Sequence, residues 1–386
     1  MPDVYKLAPV VTCHAWNADR TQVAICPNNE EVHVYTGCSS SDVKSWKKEH
    51  VLKGHDLVVS GLDWCPTTNK IVSCSHDRNA FVWTLVDGTW KPTLSILRIN
   101  RAALSARWSP DGSKFAVASG AKVVPVCHYD QANDNDWWVS KMIKKHKSTI
   151  LDVAWHPNSQ LLATACCDFK CRIFSAYMDA VDTPVNSIFG DLGATAFGDL
   201  LAEFDASNGW VESVAWSPSG NRLAFAGHDS TVTVVQFNAT PDVAPTTQVI
   251  RLRNLPETSL IFATDDIIVA GGHSFNPSIF QADDSGKWSF IGSADKKSEK
   301  AATTTKTNKF SAARSMWASK VNRGQSGDAS KKDDKLWTKH TNAITCIKPY
   351  SQNGGGAVKF STSGLDGNIV VWDLKTLASS FSSLKV

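Results

Sequence analysis

The sequence predicts an all-β fold, a seven-bladed propeller made of repeated antiparallel units. A tryptophan followed two residues later by proline occurs at four positions that share the same later spacing, and Trp16 opens a fifth copy with Ala18 in the proline position. The residue 13 positions after each of these tryptophans is an aspartate in most copies. An aromatic or apolar anchor follows six residues after that. The four complete copies have these anchors: Trp64, Asp77, Trp83; Trp108, Ala121, Cys127; Trp155, Asp168, Phe174; Trp216, Asp229, Val235.

The residues between the anchors have the pattern of β-strands. Apolar and polar residues alternate before each first anchor, as in Leu62-Asp63-Trp64, and a turn such as Asp111-Gly112 follows. A second strand, such as Lys70–Cys74, then leads to a tight turn at the acidic position. Each unit is thus a small meander that cannot bury both of its faces alone. Radial packing around a channel would bury them and leave only short sheet edges.

Seven such units account for a single domain over residues 1–386. A degenerate sixth unit lies around Leu260–Phe280, and a seventh runs from His340 to Leu374. The apolar N-terminal segment Val4–Val10 is expected to supply the last strand of the seventh blade and so to close the ring. The five regular units begin near these residues: Thr12, Gly54, Ile99, His146 and Asn208.

The anchors resemble the WD-repeat signature, and Val371-Trp372-Asp373 contains the dipeptide itself. This resemblance implies that a histidine, an aspartate, a strand hydroxyl and a tryptophan form a buried hydrogen-bonded chain that fastens each blade. A hydrolytic role for the same residues is the alternative, but the set recurs and no G-x-S-x-G motif accompanies it. The implied fasteners are His55, Asp77 and Trp83; His146 and Asp168, with Phe174 in the tryptophan position; and His340, Asp366 and Trp372.

Composition argues against several other classes of protein. The net charge of +3, from 40 basic and 37 acidic residues, does not indicate nucleic-acid binding. The sequence lacks a run of about 18 apolar residues, and Met1–Val11 does not read as a signal peptide, so we expect no membrane association and a cytoplasmic location. Cys166, Cys167 and Cys171 lack a second ligand pair, which favours strand packing over a zinc site. We therefore expect no cofactor, no metal and no catalytic residue.

Two stretches depart from the repeat. The first, Tyr177–Ser207, is rich in glycine and proline and is predicted to be an ordered loop that covers a blade edge. The second, residues 295–338, is an insertion between blades 6 and 7 with 11 basic and 5 acidic residues. Its net charge is +6, which leaves −3 for the rest of the chain. Its polar flanks predict a protruding, partly disordered loop.

A short amphipathic helix is predicted inside this insertion, over Lys309–Val321. At 100° per residue, four apolar residues share one face and a fifth lies at its border. Since the propeller core is already supplied by the blades, we favour docking on a partner over packing against the propeller. Burial of the two aromatic rings would contribute about 3–6 kcal/mol before the cost of ordering the helix. The predicted partner-binding residues are Phe310, Ala313, Met316, Trp317 and Val321, with the basic residues Arg314 and Lys320.

The chain as a whole resembles the WD-repeat subunits of the actin-related protein 2/3 complex, which nucleates branched actin filaments. This resemblance implies a structural subunit of the cytoplasmic actin cytoskeleton that helps to hold two actin-related proteins beside a set of small subunits. It also implies that the insertion helix contacts the actin filament and that the basic flanks favour acidic nucleation-promoting factors. The segments that carry the resemblance are Cys13–Asn17, Asp19–Gln22, Ile25–Asn29, Gly54–Asp56, Asp63–Trp64, Cys166–Asp168, His228–Val232 and Ala270–His273.

Three other functions remain as alternatives. A WD scaffold of another assembly, such as a ubiquitin-ligase substrate receptor, would bind through the mouth of the channel and have no affinity for actin filaments. An enzyme would need a polar constellation outside the fasteners, and the sequence has neither a phosphate-binding loop nor an HExxH motif. Nucleic-acid binding through the basic loop is disfavoured, because Phe310 and Trp317 are better explained as one helix face.

Overall fold

The computed structural model describes residues 3–38, 45–130, 137–238, 243–296, 336–353, 356–379 and 381. Within these ranges the strands form seven antiparallel blades around a central channel, as the repeat predicts. The innermost strands contact one another in sequence, from blade 1 to blade 7 and back to blade 1, so the ring is closed. The hydrophobic core consists of clusters of buried side chains at the blades and the interfaces between them.

The first four blades have these strands. Blade 1 comprises β2 (Cys13–Trp16), β3 (Gln22–Cys26), β4 (Glu31–Thr36) and β5 (Lys47–Lys53). Blade 2 comprises β6 (Val59–Trp64), β7 (Ile71–Ser75), β8 (Ala80–Val86) and β9 (Thr89–Ser95). Blade 3 comprises β10 (Ala103–Trp108), β11 (Lys114–Ser119), β12 (Val124–Asp130) and β13 (Trp137–Ile143). Blade 4 comprises β14 (Ile150–Trp155), β15 (Leu161–Cys166), β16 (Cys171–Ser175) and β19 (Leu200–Phe204).

The remaining blades follow the same meander. Blade 5 comprises β20 (Val211–Trp216), β21 (Arg222–Gly227), β22 (Thr231–Gln236) and β23 (Thr246–Arg251). Blade 6 comprises β24 (Glu257–Thr264), β25 (Ile267–Gly272), β26 (Ser278–Ala282) and β27 (Trp288–Ser293). Blade 7 comprises β28 (Ile344–Asn353), β29 (Gly356–Gly364), β30 (Asn368–Asp373) and, from the N-terminus, β1 (Asp3–Lys6).

The N-terminal strand closes the ring, as expected from the sequence. β1 pairs antiparallel with β30, with Asp3 opposite Val371 and Lys6 opposite Asn368. Tyr5 is buried on this strand, and its ring stacks on that of Trp46 at a centroid distance of 3.9 Å. β1 and β30, which are far apart in the sequence, therefore share one sheet, and this pairing closes the ring.

The link between blades 4 and 5 was predicted as an ordered loop over Tyr177–Ser207, which is wrong for its last part, because Leu200–Phe204 is β19 and pairs with β16 as the outer strand of blade 4. The part before β19 is an ordered cover, as predicted. It includes a small hairpin of β17 (Asn186–Ser187) and β18 (Gly190–Asp191), followed by a 3-10 turn at Leu192–Ala194. Leu192 is fully buried, and a buried ion pair joins Lys114 of blade 3 to Asp182 of the link. A charged pair this deep is held in place only because both partners are satisfied.

A short C-terminal helix, α1 (Leu374–Ala378), was not predicted from the sequence. The carboxylate of Asp373 caps it by accepting hydrogen bonds from the backbone N–H groups of Lys375 and Thr376, at 2.9 and 3.3 Å. Leu374 and Leu377 are buried in the core cluster that also contains Trp372. The capping aspartate and the two leucines were the features of the sequence that could have indicated this helix. A helix of five residues is too short to show a helical repeat of apolar residues.

Each blade has two distinct ends. At the hairpin end, the first strand turns into the second and the third into the fourth. At the loop end, the turn between the second and third strands lies beside the loop that enters the blade. Backbone hydrogen bonds join this turn to that loop in successive blades: His76 N to Val58 O at 3.1 Å, Gly120 N to Ala102 O at 2.9 Å, and Cys167 N to Thr149 O at 2.8 Å.

Candidate functional site

A continuous hydrogen-bonded chain crosses blade 2. The indole N–H of Trp83 donates to Ser73 Oγ at 2.8 Å, and the Ser73 hydroxyl lies 2.9 Å from His55 Nε2. The other imidazole nitrogen, Nδ1, lies 2.8 Å from a carboxylate oxygen of Asp77. Burial lowers the pKa of His55, against the opposing effect of Asp77. A neutral imidazole that accepts from Ser73 and donates to Asp77 satisfies every member of the chain.

Blade 7 repeats this arrangement with threonine as the hydroxyl. Trp372 Nε1 donates to Thr362 Oγ1 at 2.9 Å, and Thr362 Oγ1 lies 2.7 Å from His340 Nε2. His340 Nδ1 is 3.1 Å from both carboxylate oxygens of Asp366. The hydroxyl in each chain is fully buried, at 0% exposure for both Ser73 and Thr362. A nucleophile must reach its substrate, so this geometry supports a fastening role for both chains and not a hydrolytic one.

Blade 4 differs from the expected chain. His146 Nε2 lies 2.9 Å from Thr164 Oγ1, but Asp168 accepts two hydrogen bonds from the guanidinium of Arg172 instead, at 3.0 and 2.8 Å. His146 Nδ1 has no hydrogen-bond partner among the described residues. The reason is electrostatic, because the buried cation of Arg172 needs a carboxylate more than a neutral imidazole does. Burial and then Arg172 lower the pKa of His146 to about 4.

A second polar network, which the repeat pattern does not reveal, joins blade 1 to blade 7. His14 Nε2 lies 2.7 Å from Ser361 Oγ, and His14 Nδ1 lies 2.9 Å from Ser363 Oγ. The indole N–H of Trp16 also donates to Ser361, at 2.9 Å. His14 is fully buried, and this burial lowers its pKa to about 3. These bonds cross the seam where the ring closes, so they fasten the first blade to the last.

Blade 6 has lost the chain and gained a buried acid. Ala270 stands opposite Ser278 and Phe280 opposite Ile268, whereas blade 2 has Ser73 opposite Phe81 and Trp83 opposite Ile71. Glu257 begins the innermost strand and is 1% exposed. The Ser278 hydroxyl donates to its Oε1 at 2.6 Å, and Oε2 has no partner among the described residues. Burial raises the pKa of Glu257 to about 7.

The channel is lined by an ion network that spans several blades. Asp152 accepts hydrogen bonds from Ser105 and Ser213, both at 2.9 Å, and lies 3.5 Å from the guanidinium of Arg107. Across the channel, the ammonium of Lys348 in blade 7 lies 2.8 Å from Asp63 in blade 2. Burial lowers the pKa of Arg107, but Asp152 and Asp63 outweigh it and the net pKa is raised. Arg107 and Asp152 line a cavity in the channel with a volume of about 110 Å³.

The base of the insertion is fixed to blade 6. Asp295 and Asn276 exchange two hydrogen bonds, at 2.8 and 3.0 Å. The backbone N–H of Lys339, on the far side of the insertion, donates to the Asp295 carboxylate at 2.6 Å. The insertion therefore leaves and rejoins the propeller at one point. The predicted partner-binding residues, which are Phe310, Ala313, Arg314, Met316, Trp317, Lys320 and Val321, lie outside the described residues.

Neither a metal-binding cluster nor a membrane-spanning helix occurs in the part of the chain that the structure describes. No group of three or more histidine, cysteine or acidic side chains in these ranges is placed to hold a metal ion. Cys166 and Cys171, from the suspected cluster, are buried strand residues with free thiols. No helix in the same ranges is long and apolar enough to span a membrane.

The closed ring and its fastened blades define a WD-repeat β-propeller. The family model for the WD domain, G-beta repeat, matches residues 46–84, 137–175, 198–235 and 333–373. The first three matched segments begin near the outer strand of one blade and end on the third strand of the next, whereas the fourth begins within the insertion and ends on the third strand of blade 7. Each of the first three repeats therefore contributes strands to two neighbouring blades.

Similarity to curated proteins extends over nearly the whole chain. The actin-related protein 2/3 complex subunit 1B of Arabidopsis thaliana is 44% identical over 97% of this chain and 97% of its own length. Subunit 1A-B of Xenopus laevis is 42% identical over 99% and 98%, and subunit 1 of Schizosaccharomyces pombe is 40% identical over 94% and 96%. The chain therefore belongs to the family of actin-related protein 2/3 complex subunit 1.

Proposed function

We propose that this chain is a non-catalytic structural subunit of an actin-related protein 2/3 complex and supports the nucleation of branched actin filaments. The observation that carries the proposal is the 40–44% identity over nearly the full length to relatives that bear this subunit name. The buried hydroxyls of Ser73 and Thr362 suit a fastening role. A rigid ring suits a scaffold, because its surface needs little ordering when partners bind.

The partners in this proposal are the actin-related proteins and the small subunits of the same complex. Such an assembly would place the chain in the cytoplasmic actin cytoskeleton. We also propose that the insertion between blades 6 and 7, residues 295–338, projects from the propeller and reaches the actin filament. The contacts between Asp295, Asn276 and Lys339 support this idea, since they give the insertion one fixed base.

The proposed filament contact uses one face of the predicted helix. Phe310, Ala313, Met316, Trp317 and Val321 would enter an apolar groove on actin, and the basic residues Arg314 and Lys320 would favour its acidic surface. The same basic segment would favour acidic nucleation-promoting factors, since complementary charge speeds association. The helix alone would bind weakly and gain its effect from being held near the filament by the assembled complex.

The test is a complex rebuilt with the double substitution Phe310→Ala and Trp317→Ala. Branches on labelled filaments are counted by fluorescence microscopy, and assembly is checked by gel filtration. We expect an intact complex with branching reduced about tenfold, the effect of losing about 1.4 kcal/mol of filament binding.

The matched control replaces two exposed apolar residues on the outer strands of blades 2 and 3, Leu94→Ala and Trp137→Ala. These changes remove apolar area from blades that do not border the insertion. Unchanged branching in the helix variant, or an equal loss in the control, would contradict the proposed filament contact.

A further inference from the structure

The C-terminal segment of the chain returns to the place where the insertion begins. After β30, the third strand of blade 7, helix α1 lies on the core cluster that blades 6 and 7 share, and Leu374 and Leu377 are buried there. Beyond the helix, the backbone N–H of Phe381 donates to the carbonyl oxygen of Ala378 at 3.1 Å. This bond turns the chain so that the Phe381 ring also packs against the cluster.

The Phe381 ring docks on β27, the outer strand of blade 6. Ile291 of this strand packs against the same core cluster as the ring. The next residue is Gly292, and a Cβ at this position would lie 2.5 Å from Cε1 of Phe381. Because any larger side chain would displace the ring, glycine leaves the space that the ring fills. The ring is therefore held at a defined place, three residues before the insertion starts.

The same ring contacts the first basic residue of the insertion. The ammonium group of Lys296 lies over the Phe381 ring, 3.9 Å from its centroid. The face of an aromatic ring attracts a cation within about 6 Å of the centroid. Other lysine and arginine contacts of this kind in the described ranges have distances of 5.5 to 5.8 Å. The contact at Lys296 is thus much closer than these.

The residue before Lys296 is held by different parts of the chain. The backbone N–H of Asp295 donates to the side-chain oxygen of Asn276 at 2.8 Å, and the Asp295 carboxylate accepts from the backbone N–H of Lys339 at 2.6 Å. One fixed residue would let the chain leave the propeller in many directions. Two consecutive fixed residues, one held by blade 6 and the other by the C-terminal segment, define a direction.

We propose that Phe381 is a positioning residue that sets the direction in which the insertion leaves the propeller. It acts through Lys296, whose ammonium it holds, while the bonds of Asp295 fix the backbone one residue earlier. The consequence for branching rests on the proposed function, because the direction matters there only if the insertion reaches the filament. A fixed direction would raise the effective concentration of the insertion at its target and reduce the ordering that docking requires.

The experiment measures hydrogen exchange by mass spectrometry on the rebuilt complex. Two substitutions remove opposite halves of the contact: Phe381→Leu keeps an apolar side chain without a ring, and Lys296→Met keeps the stem without the charge. Each should speed exchange at the Asp295 amide about two- to fivefold. The double variant should exchange no faster than either single variant, since both changes remove the same contact. Exchange in β24 and β25 should stay unchanged, which excludes a general loss of stability.

The matched control is Phe290→Leu, the same change of residue type on β27. The Phe290 ring packs on Phe280, at a centroid distance of 5.6 Å. Exchange at the Asp295 amide should stay within about twofold of the unmodified chain, and the effect of adding Lys296→Met should be additive. Thermal melts of all variants establish that each one is folded.

Branch counting separates this proposal from the proposed filament contact. Phe381→Leu should lower branching about two- to fivefold if Phe310→Ala with Trp317→Ala lowers it as well. Coupled exchange together with full branching in the helix variant would support the Phe381–Lys296 contact and contradict the filament contact. Three results would overturn the positioning role: unchanged exchange at Asp295, additive effects of Phe381→Leu and Lys296→Met, or full branching by Phe381→Leu when the helix variant has lost it.

Discussion

Blades 2 and 6 pair their strands in the same register but stabilise them differently. Blade 2 buries a polar chain in which His55, Ser73 and Trp83 all have partners. Blade 6 keeps an aromatic residue, Phe280, but lacks this chain, and it buries Glu257 with one carboxylate oxygen that finds no hydrogen-bond partner in the described part of the molecule. The equivalent first position of the innermost strand is apolar in blades 2 to 5 and in blade 7, where it is occupied by Val59, Ala103, Ile150, Val211 and Ile344.

The difference shows that the ring does not need a polar fastener in every blade. Blade 6 lies between two neighbours, and its buried residues pack in clusters shared with blades 5 and 7. Packing against blades 5 and 7 therefore holds blade 6 in place, as the hydrogen-bonded chain does in blade 2. Burial raises the pKa of Glu257, so blade 6 loses stability as the pH rises, whereas burial lowers the pKa of His55, so blade 2 loses stability as the pH falls.

The largest expected effect comes from removing the aromatic anchor of blade 2. Trp83→Ala should lower the free energy of unfolding by about 3–5 kcal/mol, because it leaves a cavity and unpairs part of the chain. Trp83→Phe reproduces the aromatic anchor of blade 6 and should cost only about 1–2 kcal/mol, from the lost indole donor. Chemical denaturation of both variants measures the difference. Equal losses would mean that aromatic volume contributes nothing beyond the hydrogen bond.

A smaller, pH-dependent effect is expected at Glu257. Its pKa is about 7 in the folded protein, against an ordinary value of 4.5, so the folded protein holds a proton that the unfolded chain has released between these values. The contribution of Glu257 to the free energy of unfolding is therefore fully present below pH 4.5. It is lost as the pH rises through 7, by roughly 3 kcal/mol in all. Glu257→Gln cannot ionise and should lack this contribution.

The Glu257 effect is measured by denaturation of the unmodified chain and of Glu257→Gln between pH 5 and 8. The free-energy difference between the two proteins should shift with pH in favour of the glutamine variant. His55 and other titrating groups are common to both proteins, so their contributions cancel. A difference that stays constant over this range would show that the acid is not held protonated.

Much of the fold could be predicted because successive units carry similar anchor residues at the same spacing. The Trp-to-Asp-to-Trp spacing located blade 2, the set His340, Asp366 and Trp372 located blade 7, and the apolar segment before Thr12 indicated the closing strand. The His14 network could not be found this way, because it crosses between blades and occurs once. The pairing of Asp168 with Arg172 instead of His146 could not be predicted either, since it depends on the distance between the two side chains in the folded blade.

The insertion could be recognised for the opposite reason. It is visible as a break in the repeat and as a change in composition, so sequence alone could single out Phe310 and Trp317. Sequence patterns reveal contiguous or periodic features, whereas surfaces assembled by folding require the topology.

The most direct test of the proposed function is to identify what the tagged chain carries when it is purified from its own cells. After a salt wash and gel filtration, mass spectrometry of the eluted complex identifies the partners that remain bound. We predict two actin-related proteins and a fixed set of small subunits in the same fractions. Elution of the chain alone, or together with components of a ubiquitin ligase, would leave the propeller intact and contradict the assignment to branched actin nucleation.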